Sequence, residues 1–381
     1  MGKFSMLRST TTLTVGDHAP PFTLSDTNGD LFALKSVAGK PTVLFFYASD
    51  KIEACREIAG NFRNLMPALN DFDVQVYGIS PDAPEERKIF AKEDRIPFVL
   101  LSDLHKTVSK KYGVCFTHDR EADVTIYNRF AFLLDSNQRI VKIYHLNNVS
   151  TWAIELLADL KALPREEPRH IRMQAPVLLI PNVFSLELCR ELIDIWHTKG
   201  NDDSGFMGSV GEKTVLFIDY QTKIRRDHFV YDRQLQATLN KIIMARIAPE
   251  IEKAFHYQIT RQERYRIACY DGSLGAFFRP HRDNTTGGTA HRRFAMSLNL
   301  NVGEYEGGYL RFPEYGPHLY KPDTGSAIIF SGSLTHEATP VTSGIRFVLL
   351  NFFYGDEEAQ SRKSYEERVK NDYDTAVRIN S

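Results

Sequence analysis

The stretch ALPREEPRHIRMQ (162–174) sets two prolines and mixed charges between two long hydrophobic blocks, which is linker composition. It constrains the fold more than any other segment, because a chain of 381 residues is too long for one ordinary domain and suits two. The expected partition is a first domain over 15–162, a linker over 163–174, a second domain over 175–355 and a charged C-terminal tail over 356–381. The two blocks differ in period. The first alternates apolar strands with amphipathic helices, whereas the second turns to strands beyond residue 264.

In the first block, residues 1–14 read as a loose Ser/Thr-rich tail. GDHAPPFTLSDTNGDLFAL (16–34) alternates around an Asn28-Gly29 hairpin turn. PTVLFFYA (41–48) is a continuous apolar run, as expected of a strand buried on both faces. Ile52, Cys55, Ala59, Phe62, Met66 and Leu69 follow at helical spacing. DVQVYGIS (73–80) and PFVLLSD (97–103) predict two more buried strands, separated by a polar-faced helix over 83–94. A short helix over Lys106–Tyr112 precedes strands at 129–135 and 139–145, joined at Ser136-Asn137, and a helix over Thr151–Leu163 closes the unit. This order predicts an α/β sheet covered on both faces.

The second block opens with a strand within APVLLIPNVF (175–184), then Ser185 as N-cap of a helix running through Trp196. GNDDSGFMGSVGEK (200–213) reads as a glycine-rich loop, and loops of that length are often functional. KIRRDHFV (223–230) offers Arg225 or Arg226 to a substrate, and Asp232 caps one long helix to about Phe255. A β-sandwich is expected over 264–354, and beyond it EEAQSRKSYEERVK is a helical packing arm or solvated face.

The chemistry concentrates in that sandwich. His281 and Asp283 stand two apart, so on an extended strand both side chains aim into one cavity. His336 lies far enough downstream for intervening strands to return it to the same face. Two imidazoles and one carboxylate on one face make a facial triad, which leaves open positions on a non-haem iron. Arg346 falls inside the apolar run Ile345–Phe353. A permanent charge there needs a buried anion, which a dicarboxylate co-substrate would supply.

RIACYDGSLGAFFRPHRDN (266–284), YEGGYLRFPEYG (305–316) and GSAIIFSGSLTHEATPVTSGIRFVLLNFFY (325–354) resemble the Fe(II)/2-oxoglutarate dioxygenases, in particular their prolyl 4-hydroxylase-like branch. The resemblance runs over roughly 175–355 and rests on the ordered H-x-D…H…R set. It implies a double-stranded β-helix, or jelly-roll, with flanking helices. It also implies Fe(II) on His281, Asp283 and His336, the C5 carboxylate of 2-oxoglutarate on Arg346, and Tyr270 hydrogen-bonded to that co-substrate. O₂ is the oxidant, ascorbate an optional reductant, and a mobile substrate-covering loop falls near 200–213. The implied reaction hydroxylates an unactivated C–H and releases succinate and CO₂. Halogenases of the family lose the carboxylate ligand, so Asp283 favours hydroxylation. Phe277, Phe278, Phe312, Tyr309 and Phe330 are candidates to keep water from the oxidant.

GDHAPPFTL, PTVLFFYASD, VYGISPD, PFVLLSD, KKYGV and RFAFLLDSNQRIV resemble the peroxiredoxin branch of the thioredoxin fold over roughly 15–162. Family catalysis uses a cysteine in a P-x-x-x-T-x-x-C pattern and a partner arginine. Cys55 and Arg129 match these, but Ala48 replaces the Pro and Ile52 the Thr. A helix N-terminus and a guanidinium would activate a thiol. Against that, Cys55 falls on the apolar stripe of its own helix, where a free cysteine is usually a small hydrophobe. Cys115, after the YGV segment, is the weak candidate for a resolving cysteine.

Composition narrows the remaining classes. A net charge of −1 gives no footprint for nucleic acid or an anionic membrane surface. The four cysteines stand far apart without a C-x-x-C, so neither a disulfide framework nor a zinc ribbon is indicated. MGKFSMLRSTTTLTV holds no apolar core of signal-peptide length, Met6 breaks a myristoylation match, and no run reaches membrane-spanning length. A cytoplasmic location is therefore expected. The substrate class stays open among amino acids, peptidyl residues and small metabolites. Three readings compete. The first is a hydroxylase whose redoxin-like module serves docking, homodimerisation or redox protection. The second is a thiol peroxidase using Cys55, and the third is a non-enzymatic pair of decayed domains. The complete His-Asp-His-Arg set argues for the first.

Overall fold

A computed structural model describes residues 13–118, 121–164 and 170–379. The tail up to residue 12 and residues 165–169 of the expected linker lie outside the described residues. The chain divides into two compact units, Met1–Pro168 and Arg169–Ser381.

The first unit is built on a seven-stranded sheet in the order Leu31–Ala33, Thr23–Asp26, Val99–Ser102, Gln75–Ser80, Thr42–Phe46, Phe130–Leu134, Ile140–His145. Its three central strands run parallel, and the outer ones pair antiparallel. Strand Thr42–Phe46 is buried at every position, and period two explains why. Val43 and Phe45 pack with Phe62, Trp152 and Leu156 of the helices Glu53–Asn70 and Val149–Ala162. Leu44 and Phe46 enter a second core with Leu34, Tyr112 and Phe132. The sequence did not reveal the separate hairpin of Cys115–His118 and Glu121–Tyr127.

The second unit is mostly sheet. A nine-stranded sheet carries the order Leu178–Ile180, Ala327–Ser331, Phe294–Asn299, Val341–Tyr354, Arg266–Asp271, Arg226–Phe229, Asp202–Asp203, with Arg261–Gln262 and Tyr305–Gly307 also paired to the long strand Val341–Tyr354. A four-stranded sheet carries the order Phe278–His281, His336–Ala338, Leu310–Arg311, Leu319–Tyr320. Alternation assigns the faces of the larger sheet. Ile267, Cys269, Phe347 and Leu349 pack with Cys189, Leu192, Leu239 and Ile243 from the helices. Ala268, Tyr270 and Val348 face the other way and cluster with Phe278 and Ala338 of the smaller sheet.

Two local expectations need correction, and one open alternative is decided. The helix expected from Asp232 to Phe255 is two helices, Arg233–Arg246 and Ala248–Phe255. Pro249 has no N–H to continue the hydrogen-bond ladder and is favourable only in a first turn. The loop expected over 200–213 instead contributes to a hairpin, Phe206–Val210 with Lys213–Phe217, turned at Gly211 with φ of 58°. The C-terminal segment is a helix, Asp356–Ile379, and it is a packing arm. Its Tyr365 hydroxyl accepts from the Thr214 amide at 2.9 Å, and its ring lies against Gly287.

Candidate active site

Antiparallel pairing of Phe278–His281 with His336–Ala338 sets His281 opposite His336, their ring centroids 4.3 Å apart. The Asp283 amide donates to the Gly332 carbonyl, which fixes the turn that brings its carboxylate back to both rings. Asp283 Oδ1 lies 3.7 Å from His281 Nε2, and Oδ2 lies 3.3 Å from His336 Nε2. One ligand atom from each of the three residues lies within 4.8 Å of the others, so the group can hold a metal ion.

The protonation states suit that task. His281 Nδ1 meets the Arg279 carbonyl at 2.8 Å and His336 Nδ1 meets the Leu334 carbonyl at 2.9 Å. A carbonyl only accepts, so each Nδ1 carries a proton, and in the neutral tautomer it is Nε2 that offers its lone pair to the cavity. Burial, with His336 alongside, pushes the His281 pKa down to about 3, leaving the neutral imidazole that binds metals. The Phe278 ring stacks on His281 at 3.5 Å and Phe330 meets His336 edge-on at 4.5 Å. Two nitrogen donors and one carboxylate fit a divalent transition ion with open positions.

Arg346 lies on the long strand of the other sheet, directly across from Tyr270. It is 3% exposed, and its Nε has no hydrogen-bond partner. Its guanidinium carbon stands 5.0 Å from the Tyr270 ring centroid. A buried, incompletely satisfied guanidinium is a receptor for an anion. The Tyr270 hydroxyl accepts from Arg225 Nη1 at 3.3 Å. A cavity of about 580 Å³ joins these groups, lined by His281, Asp283 and His336 on one side and by Tyr270 and Arg346 on the other. Phe278 and Phe330 also line it; Phe277, Tyr309 and Phe312 stand outside its wall.

Of the two arginines the sequence offered, Arg225 is the one in the cavity wall, whereas Lys223 and Asp227 beside it escaped the sequence reading. Arg225 is buried in a two-point pair with Asp227, at 2.7 and 2.6 Å, while Arg226 faces solvent and pairs with Asp203. Burial alone would raise the Asp227 pKa, but Arg225 and Lys223 hold the carboxyl below its usual range. Lys223 is buried, donates to Ser204 Oγ at 2.7 Å and to the Gly205 carbonyl at 2.6 Å, and burial drives its pKa well down. The signal available was the i, i+2, i+4 charged alternation Lys223, Arg225, Asp227 leading into strand Arg226–Phe229. Arg266, Arg292 and Glu263 were also missed.

In the first unit, Cys55 is 3% exposed in a core with Tyr47, Ile58 and Ala59. Arg129 donates to Asn147 at 3.2 Å, and no hydrogen bond joins it to Cys55 among the described residues. Ile52, where the family has Thr, is 46% exposed. The Cys115 thiol is buried, which raises its pKa and weakens it as a nucleophile.

Residues 15–143 match the AhpC/TSA family, and residues 265–354 match the 2OG-Fe(II) oxygenase superfamily. The chain is 35% identical over 133 residues to a chloroplastic peroxiredoxin Q of Sedum lineare, covering 69% of that protein and 35% of this chain. The chain belongs to the AhpC/TSA peroxiredoxins and carries a 2OG-Fe(II) oxygenase domain behind that part. A chloroplastic peroxiredoxin Q of Populus jackii is 36% identical, with 59% of its length and 34% of this chain covered. A putative peroxiredoxin bcp of Coxiella burnetii is 37% identical, with 70% of its length and 28% of this chain covered. Among solved structures, peroxidoxin BcpB of Mycobacterium tuberculosis matches 40% of this chain and 98% of its own at 27% identity, with a TM-score of 0.37. By its AhpC/TSA match and its central sheet, the peroxiredoxin-like domain has a thioredoxin-like fold, and the oxygenase match lies in the second, mostly sheet unit. No helix among the described residues is long and apolar enough to cross a membrane.

Proposed function

We propose that the oxygenase domain is an Fe(II)- and 2-oxoglutarate-dependent hydroxylase acting on an unactivated C–H of an amino-acid, peptidyl or small-metabolite substrate. Its scaffold is read as a double-stranded β-helix. One observation carries this reading: two Nε2 lone pairs and a carboxylate converge on a cavity whose opposite wall holds a buried arginine with an unpartnered Nε. His281, Asp283 and His336 would hold the metal, Arg346 the far carboxylate of 2-oxoglutarate, and Tyr270 would flank it. When bound, iron and 2-oxoglutarate supply the oxidising power, one oxygen of O₂ entering succinate as CO₂ leaves and the other entering the substrate C–H. The carbonyls of Arg279 and Leu334 orient the imidazoles, and Phe278 and Phe330 exclude water beside them. Ascorbate as a reductant and a homodimer through the peroxiredoxin-like domain belong to the same proposal.

The test is His336→Ala in the full chain. Fe(II) binding and succinate formation should both disappear while the melting profile is kept, and unchanged iron content would remove the assignment. Mass spectrometry of metabolites and peptides incubated with Fe(II), 2-oxoglutarate and O₂ then identifies the substrate by the gain of one oxygen. A second reading, thiol peroxidase at Cys55, is favoured by the peroxiredoxin names of the relatives. The burial of Cys55 and the replacements Ala48 and Ile52 weigh against it, so the domain is read as a structural or docking module.

A further inference from the structure

The cavity has a second cationic end. Strand Arg266–Asp271 turns Arg266, Ala268 and Tyr270 to the cavity face, opposite Leu350, Val348 and Arg346 of the long strand. Arg346 with Tyr270 therefore marks one end of this face. Arg266 marks another about 13 Å away, at roughly 3.3 Å per residue.

Arg266 is poorly satisfied for a charged group. Its hydrogen bond, Nη2 to Glu263 Oε2, is long at 3.3 Å, and its buried Nε has no partner. Its guanidinium carbon lies 5.2 Å from the Phe229 ring and 5.4 Å from the Phe352 ring, so two aromatic faces hold it in place. Arg292 stands beside it, 3.9 Å over Phe352. Arg292 donates to both Glu263 oxygens at 2.6 and 2.9 Å, and its Nη1 donates to the Asp283 carbonyl at 3.3 Å. The Arg266–Arg292 pair is thus coupled directly to a metal-binding residue.

Charge decides what this end would accept. Glu263 is one carboxylate set against two arginines, Arg266 and Arg292, which leaves one positive charge unmatched. Elsewhere in the wall, Asp227 matches Arg225, and the Lys223 amine already donates to Ser204 Oγ and the Gly205 carbonyl. In the proposed complex, a divalent iron, the Asp283 carboxylate, doubly charged 2-oxoglutarate and Arg346 sum to zero. The surplus at Arg266 therefore calls for a monoanion. A carboxylate is planar and accepts side-on from Nε and a neighbouring Nη, whereas a phosphate dianion would overshoot the charge.

We propose that the hydroxylated substrate is a carboxylic acid of about amino-acid size, with its carboxylate held by Arg266 beside Arg292 and its reacting carbon directed toward the metal. This rests on the oxygenase reading above.

The experiment uses the full chain loaded with Mn(II) and 2-oxoglutarate without O₂, so that binding is read without turnover. Free amino acids and three- to six-carbon carboxylic acids are titrated by calorimetry, each against its own primary amide and against tripeptides ending in the same residue. At least one small acid should bind, with its amide weaker on the order of 10–100-fold. Arg266→Gln should reduce that acid to the affinity of its amide while Mn(II) and 2-oxoglutarate still bind as in the parent. If Arg266→Gln melts early, Arg266→Lys keeps the charge and loses the planar fork, and should give an intermediate loss. The inference is overturned if no acid binds, if acid and amide bind equally, if only the tripeptides bind, or if discrimination survives in Arg266→Gln. Failure of 2-oxoglutarate to bind the metal-loaded parent would instead strike the oxygenase reading itself.

Discussion

Gly308, the second glycine of YEGGYL, gives a direct handle on Arg346. Its φ is +62°, and a Cβ there would meet Arg346 Cδ at 2.7 Å and Val341 Cγ2 at 2.9 Å. Gly308→Ala therefore carries two costs. Left-handed backbone at a non-glycine residue costs about 1–2 kcal/mol. The methyl also intrudes well inside the 3.4 Å at which ordinary contact begins, so the buried arginine stem must move by several tenths of an ångström. A hydrogen bond to a charged group is worth about 1.5–3 kcal/mol. Losing roughly half of that raises the KM for 2-oxoglutarate about 3–10-fold. Gly275→Ala is the control, because its φ is +57° and nothing lies within 4 Å of the added methyl. Both variants should melt about 2–8 °C lower, the usual scale for a domain of this size, but only Gly308→Ala should raise KM. Succinate formation against 2-oxoglutarate concentration, with iron content measured alongside, reads the difference. Equal KM values in the two variants would refute the argument that Gly308 acts through the arginine.

Glu263→Gln tests the charge cluster through pH. Burial alone would raise the Glu263 pKa, but the His291 contact and Arg292 hold it well below its ordinary value. Its contribution to stability is therefore full above about pH 4.3 and is lost as pH falls toward the depressed folded pKa. The variant should be less stable by about 3–5 kcal/mol at pH 7 with a flatter acid limb; parallel curves for the two proteins would contradict this. Cys55→Ser should leave hydroxylase turnover unchanged and cost about 1–3 kcal/mol for a buried hydroxyl. Rapid dimedone trapping of a sulfenic acid at Cys55 under low peroxide would overturn its structural role.

The sequence was most legible where one residue's environment follows from its neighbours in the chain. PTVLFFYA reads as a doubly buried strand because period two leaves no polar face, and Thr42–Phe46 is buried throughout. His281 and Asp283 read as one site from their i, i+2 spacing, although the strand ends at His281 and it is the turn held by the Asp283 amide on Gly332, not strand alternation, that aims the carboxylate. His336 and Arg346 required the additional assumption that the strands return, which the resemblance supplied. What stayed hidden depends on contacts across long separations. Arg292 joins the local Glu263–Arg266 pair only because the segment before strand Phe294–Asn299 meets it across the Phe352 ring. The hairpin of residues 206–217 was obscured by its glycines, since Gly211 makes a turn that composition alone assigns to a loop. The break before Pro249 was legible in principle, but the apolar stripe from Leu239 to Ile251 continues across it.

The two sheets divide the charges of the proposed site between them. The metal-binding groups come from the four-stranded sheet and the turn after His281, whereas Arg266, Arg346, Arg225 and Arg292 lie on or beside strands of the nine-stranded sheet. Sheets stacked face to face stand about 10 Å apart. At an effective dielectric constant near 20, a divalent ion and one guanidinium repel by about 3 kcal/mol across that gap. An anion lying between the sheets relieves this repulsion from both sides. Metal should therefore tighten 2-oxoglutarate binding, and 2-oxoglutarate should tighten metal binding by the same factor, since coupling between two ligands is reciprocal. The same reasoning makes Arg346 more than a passive receptor. Removing its charge also removes a cation that opposes the metal, so Arg346→Ala should weaken 2-oxoglutarate while holding the bare metal no less tightly than the parent. That pair of opposite or null effects separates an arginine that binds the co-substrate from one that merely supports the fold, which would weaken both.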